Sequence, residues 1–201
     1  MRKLFVLLAL GISSGAVAQE DYELRLGDSL VNIALDKPYN LVVNGKQVQL
    51  NLKMKDTLTY KQTFLSFKYP KEFKISSSMI DPEVAQLTIV SSEGTGIIIQ
   101  KYESMNPTTL NELVLTELTK ESINYGYVAK KSTYKKKLAS GQEVEVTRSV
   151  LTYKDEVNIY EVASVGKKDA GLIMVTMKMD DEKNSAGQRV IDLMWRSIRM
   201  D

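Results

Sequence analysis

Apolar and polar residues alternate with a period of two through most of this chain, and the helical period of 3.6 surfaces only twice. Leu41-Val42-Val43 and Val48-Gln49-Leu50-Asn51-Leu52 flank Asn44-Gly45, a pair that favours the positive φ angles of a type I′ turn, so a β-hairpin is predicted there. Residues 63–69 alternate and stop at Pro70. Residues 85–91 and 96–102, joined by Ser92-Glu93-Gly94-Thr95, predict another hairpin. Within it, Ile97-Ile98-Ile99 lacks polar alternation, the pattern of a strand covered on both faces. Strands over 127–138, 142–153, 157–165 and 171–179 follow, with turns at Ser140-Gly141 and from Gly166 to Ala170, and Val144, Val146 and Val150 share one face.

The first helical stretch opens at Thr109, which with Glu112 has the spacing of a capping box. Its apolar stripe reads Leu110, Leu113, Val114 and Leu118, and Gly126 is the expected stop. The second covers residues 184–195, with Val190, Ile191, Met194 and Trp195 as the buried side. Short connections between successive strands favour antiparallel pairing. The expected fold is therefore α+β: an antiparallel β-sheet meander with two packing helices over residues 61–201, preceded by an N-terminal β-hairpin extension over residues 19–60.

The first eighteen residues carry a different pattern. Arg2 and Lys3 precede the apolar run 4–12, which is too short to span a bilayer, and Ala16-Val17-Ala18 forms an A-x-A cleavage site before Gln19. This predicts a secretory signal peptide over residues 1–18, cleavage after Ala18, and a periplasmic or secreted mature protein. The formal net charge of +2 resides in Arg2 and Lys3, so the mature chain is neutral and offers no general attraction for nucleic acid. No cysteine follows the cleavage site to carry a lipid anchor, and no later apolar run approaches the roughly 20 residues of a membrane span.

The chain contains neither histidine nor cysteine. Disulfides, histidine-based catalytic triads and the usual zinc and copper ligands are thereby excluded, and the expectation is a protein without a cofactor or catalytic centre. Ser132-Thr133-Tyr134-Lys135 matches S-x-x-K, but it falls in a strand and lacks the partner motifs of serine–lysine enzymes. Asp180, Asp181 and Glu182 lack the alternate acidic positions and central glycine of a calcium loop and read better as a helix lead-in. Met174, Met177, Met179, Met194 and Met200 read as core filling rather than as a soft-metal site.

The most basic segment holds Lys130, Lys131, Lys135, Lys136 and Lys137, interleaved with Tyr127 and Tyr134. These seven residues are the candidate partner-binding set. The alternative is an edge strand guarded by lysine against sheet-to-sheet pairing. Ten tyrosines against four phenylalanines suit either half-buried sheet positions or a recognition surface for peptides or sugars, depending on which of them cluster.

From about residue 63 onward, the order of these cues resembles the PsbP-like (DcrB-type) fold, shared by the photosystem extrinsic protein PsbP and a nuclear Ran-binding protein. The resemblance rests on Phe67-Lys68-Tyr69-Pro70 with Phe73, the hairpin at Gly94, and Thr109-Leu110-Asn111-Glu112-Leu113. It continues through Ser140-Gly141-Gln142-Glu143 and the closing Met194-Trp195-Arg196-Ser197-Ile198-Arg199. Phe73 stands where the family commonly has tryptophan, and residues 19–60 are additional. The resemblance implies a non-enzymatic adaptor or binding module and names no ligand. The functional expectation is an envelope binding or adaptor protein with a protein partner or an apolar or anionic ligand. The alternatives are a carrier or chaperone for a lipid or hydrophobic peptide, which needs an apolar cavity between sheet and helix, and a histidine-independent enzyme.

Overall fold

The computed structural model describes residues 21–27, 29–43, 45–179 and 185–200. Residues 1–18, read above as a signal peptide, Asn44 and the acidic run 180–182 lie outside the described residues. The chain divides into two compact units after Met54.

The first unit contains two antiparallel hairpins. β1 (Asp21–Leu26) pairs with β2 (Ser29–Ala34), and β3 (Pro38–Val43) pairs with β4 (Lys46–Asn51). The second is the hairpin expected around Asn44-Gly45, with Leu41 opposite Val48 and Gly45 at φ +75°. The hairpins are tied by Asp36 N donating to the Leu52 carbonyl at 2.9 Å and Ala34 N to the Tyr39 hydroxyl at 2.8 Å. Ile33 and Ala34 are buried, while Val42 and Val48 remain exposed.

The second unit is a layered α+β structure. Its main layer is a seven-stranded sheet in the order β10-β11-β12-β13-β9-β8-β7, antiparallel throughout. These strands are β7 (Ser76–Asp81), β8 (Val84–Val90), β9 (Gly96–Tyr102), β10 (Val128–Lys137), β11 (Glu143–Tyr153), β12 (Glu156–Lys167) and β13 (Ala170–Lys178). A three-stranded sheet combines β5 (Thr57–Gln62), β6 (Leu65–Pro70) and β14 (Arg199–Met200). The meander over β10 to β13 follows the sequence reading closely. β1, β2, β5, β7 and β14 are additions to that reading.

α1 (Asn111–Tyr125) covers one face of the large sheet, and α2 (Ala186–Ser197) with β6 covers the other. Strand alternation sends Ile97 and Ile99 to the α2 side and Ile98 to the α1 side, as the unbroken isoleucine run requires. The α2-side core joins Leu65, Phe67, Ile99, Val146, Met174 and Met194; the α1-side core joins Leu115, Leu151, Val162, Ile173 and Val175. Ser185 caps α2, its hydroxyl accepting from Gln188 N at 3.1 Å, and Val190, Ile191, Met194 and Trp195 are all buried.

α1 departs from the reading in two respects. Thr109 does not cap it: residues Pro107–Thr109 form a 3₁₀ turn, Asn106 Oδ1 accepts from Thr108 N at 3.1 Å, and the helix starts after Leu110 without a side-chain cap. Asn106 caps the 3₁₀ turn three residues before the Thr109 of the expected capping box. The buried stripe is also rotated. Leu113 is 57% exposed, while Leu115 is fully buried beside half-buried Leu110, Val114 and Leu118. Gly126 does end the helix, at φ +119°, and its N–H donates to the carbonyls of Ser122 and Ile123.

Candidate functional site

β10 pairs along its length only with β11 and forms one edge of the seven-stranded sheet. The register runs unbroken from Val128 opposite Thr152 to Lys137 opposite Glu143. Because side chains alternate, the candidate lysines divide between two faces. Lys130 and Lys136 share the α2 side with Tyr134, while Lys131, Lys135 and Lys137 share the other.

The lysines also differ in what holds them. Lys131 Nζ bonds Glu112 Oε2 of α1 at 3.0 Å, and Lys135 Nζ lies 2.9 Å from Glu143 Oε1 on β11. The hydrogen bond to Glu143 raises the Lys135 pKa above its ordinary value. Lys136 Nζ sits 4.6 Å from the Trp195 ring centroid, a cation–π contact. Lys130 and Lys137 have no ion-pair partner among the described residues. They are the cations most available to an outside charge.

Tyr134 is half-buried, and its hydroxyl donates to Glu161 Oε1 at 2.9 Å. Glu161 also accepts from Thr176 Oγ1 at 3.2 Å and lies 3.8 Å from Arg148 Nε, its cross-strand neighbour. Burial, then the Glu161 charge, raises the Tyr134 pKa far above that of free tyrosine. Tyr134 thus anchors the strand to the sheet face.

Tyr127 belongs to an aromatic group that spacing does not reveal. Tyr125, Tyr127 and Tyr153 have centroid separations of 5.3 to 6.2 Å, and Lys154 Nζ lies 5.0 Å from the Tyr153 centroid. The Tyr127 hydroxyl bonds Glu156, which raises its pKa. Tyr125 is 71% exposed. This trio forms an amphipathic platform where β10 begins.

At the other end of β10, an open cleft of about 520 Å³ is lined by Lys136, Lys137, Leu138, Ala139, Asp192, Trp195 and Arg196. Trp195 is 4% exposed, so it serves as core. Its indole N–H finds no acceptor among the described residues. Three cations against one carboxylate give this cleft a positive character.

The other sequence candidates do not assemble. Ser132 and Lys135, three residues apart on a strand, point to opposite faces, and Lys135 is engaged by Glu143. Met174 and Met194 lie in the α2-side core, while Met177 packs on the α1-side core. Among the described residues, no group of three or more acidic residues is placed to hold a metal ion. The space between sheet and α2 is filled by Ile97, Ile99, Met174 and Met194, each at most 1% exposed. No described helix is long and apolar enough to cross a membrane.

No protein-family profile matches the chain, and no curated protein matches it. Among solved structures, it is similar to the solution structure of cyanobacterial PsbP (CyanoP) from Synechocystis. The identity is 10% and the TM-score 0.47, over 75% of this chain and 95% of that one.

Proposed function

We propose that the chain is a non-enzymatic binding or adaptor protein of the bacterial envelope, exported by residues 1–18, which receives an acidic, extended protein segment along β10. The observation that carries this reading is the ten-residue edge itself: unbroken register, one pairing partner, and lysines on both faces. An added strand would satisfy the open backbone groups of β10, as in β-strand addition. Lys130 and Lys137 would meet its carboxylates, with the cleft of Lys136, Lys137 and Arg196 taking one at the far end. The tyrosine platform at the near end supplies rigid contact area of the kind that dominates interface energies. The first unit, with its two hairpins up to Met54, is available to a second contact.

Cross-linking and pull-down of the mature protein from its native envelope tests this reading. A stoichiometric protein cross-linked through β10, lost in Lys130→Glu/Lys137→Glu, supports it. A second probe is a synthetic acidic peptide of β-prone sequence. Its binding should weaken with salt and fail when alternate peptide nitrogens are methylated. Binding indifferent to methylation would refute strand addition, and a partner mapping elsewhere would refute the site.

A further inference from the structure

Away from β10, the α2 side of the sheet carries a second depression, with a volume of about 360 Å³. Its apolar lining comes from Phe64 in the β5–β6 turn, Val165 and Leu172 of the β12–β13 hairpin, Ala170 at the hairpin tip, and Met200. Lys101 and Lys167 stand among these residues. The combination is of the right kind for a small organic ligand: a mainly apolar wall with few polar groups, at the lower end of the usual size range.

The floor is held from behind. Gly166 and Gly171 face each other across the hairpin, and the Asn106–Pro107 turn packs directly on them from the α1 side. A Cβ on Gly166 would lie 1.9 Å from Asn106 Oδ1, and one on Gly171 2.4 Å from Pro107 Cδ. Leu172, 1% exposed, is fixed in the core below. Ligand binding therefore needs little ordering of the floor, which limits its entropic cost.

The charges select the ligand. Lys101 Nζ lies 4.3 Å from the Phe64 centroid and is bonded to Glu103, so its charge is shared. Lys167 is exposed and has no ion-pair partner among the described residues. A free cation beside an apolar wall suits a negative head on an apolar tail. We propose that this depression binds a single-chain amphiphilic carboxylate of medium length, with its tail on Phe64, Val165 and Leu172 and its head at Lys167. This site is separate from the β10 edge and stands or falls independently of it.

The test is isothermal titration of the mature full chain with saturated carboxylates of six to twelve carbons, each below its micelle concentration. Binding should tighten by about threefold to fourfold per added methylene until the tail outgrows the depression. The uncharged alcohol of the same length should bind several-fold more weakly, and Lys167→Glu should reproduce that loss for the carboxylate. Ala170→Trp, at an exposed position, should abolish binding without lowering the thermal midpoint. Vesicles of anionic phospholipid provide the other arm: association with vesicles but not with monomeric carboxylates overturns the proposal in favour of a lipid surface. Absence of chain-length dependence, or wild-type affinity in Ala170→Trp, also overturns it.

Discussion

The two edges of the seven-stranded sheet face the same hazard and meet it differently. β10 is ten residues long, regular and carries five lysines. β7 is six residues long, exposed throughout, and its register shifts between Met79 and Asp81. An unpaired edge invites pairing with another chain; a short strand with an irregularity discourages it by shape, and lysine discourages it by charge. β7 leaves Met79 and Ile80 exposed, at 61% and 54%, so its protection rests on length and irregularity. Charge differs from irregularity in one respect: an opposite charge cancels it. A lysine-guarded edge repels copies of itself while staying open to an acidic strand. Protection and recognition can therefore be the same property at β10 and cannot be at β7.

The contrast can be tested by substitution. The largest effect belongs to Trp195→Ala. It removes a buried ring from the α2-side core and the support under Lys136, and should cost about 3–5 kcal/mol in denaturant unfolding. Met79→Ala at the other edge should stay within about 0.5 kcal/mol, since its side chain is mostly in solvent. Comparable losses would mean that β7 is anchored as firmly as β10. Next, Lys130→Thr/Lys135→Thr/Lys137→Thr should make the protein self-associate, seen as a concentration-dependent sedimentation coefficient, while Met79→Thr should not.

A smaller effect concerns alkaline pH. Tyr134 is raised by burial and by Glu161, and Tyr102 and Tyr160 are raised chiefly by burial. A tyrosine whose folded pKa is raised contributes stability that is complete below its unfolded pKa and is lost as pH rises toward the folded value. Stability should hold to about pH 10 and fall above it, and Tyr134→Phe should flatten part of that fall in thermal unfolding. An unchanged slope would mean that Tyr134 does not hold β10 as described. The smallest effect is that of Lys131 and Glu112. A double-mutant cycle should give about 0.2–1 kcal/mol of coupling, because both side chains are solvent-exposed.

Much of the second unit was legible because its signals are long. The alternation through Val144 and Val146 and the α2 stripe of Val190, Ile191, Met194 and Trp195 describe faces that are in fact buried. β7 was illegible because Ser76-Ser77-Ser78 has no apolar alternation; it is a strand only because β8 pairs with it. α1 was misphased because Asn106 and Pro107 start a separate 3₁₀ turn that takes up Thr109, while burial against β11 and β12 selects Leu115 over Leu113. Of the candidate set, the residue types were legible but not their surroundings. Strand alternation separates Lys130 and Lys136 from Lys131, Lys135 and Lys137, but only the packing of β10 shows which of the two groups faces α2. Tyr125 and Tyr153 join Tyr127 through the helix end and β11, a grouping that no local spacing encodes.

The strand order has a further consequence, for assembly in time. After β9, the chain passes through α1 to the far edge, and the meander returns strand by strand until β13 meets β9. Every other junction in the large sheet joins neighbours in sequence, closed by a short turn. The β9–β13 junction, with Tyr102 opposite Gly171, alone closes a long loop, so most of the sheet's closure entropy is concentrated there. Two locally formed halves thus share one seam, and the isoleucines of β9, with Ile97 and Ile99 buried on the α2 side and Ile98 half-buried on the α1 side, are the residues whose packing fastens the halves together.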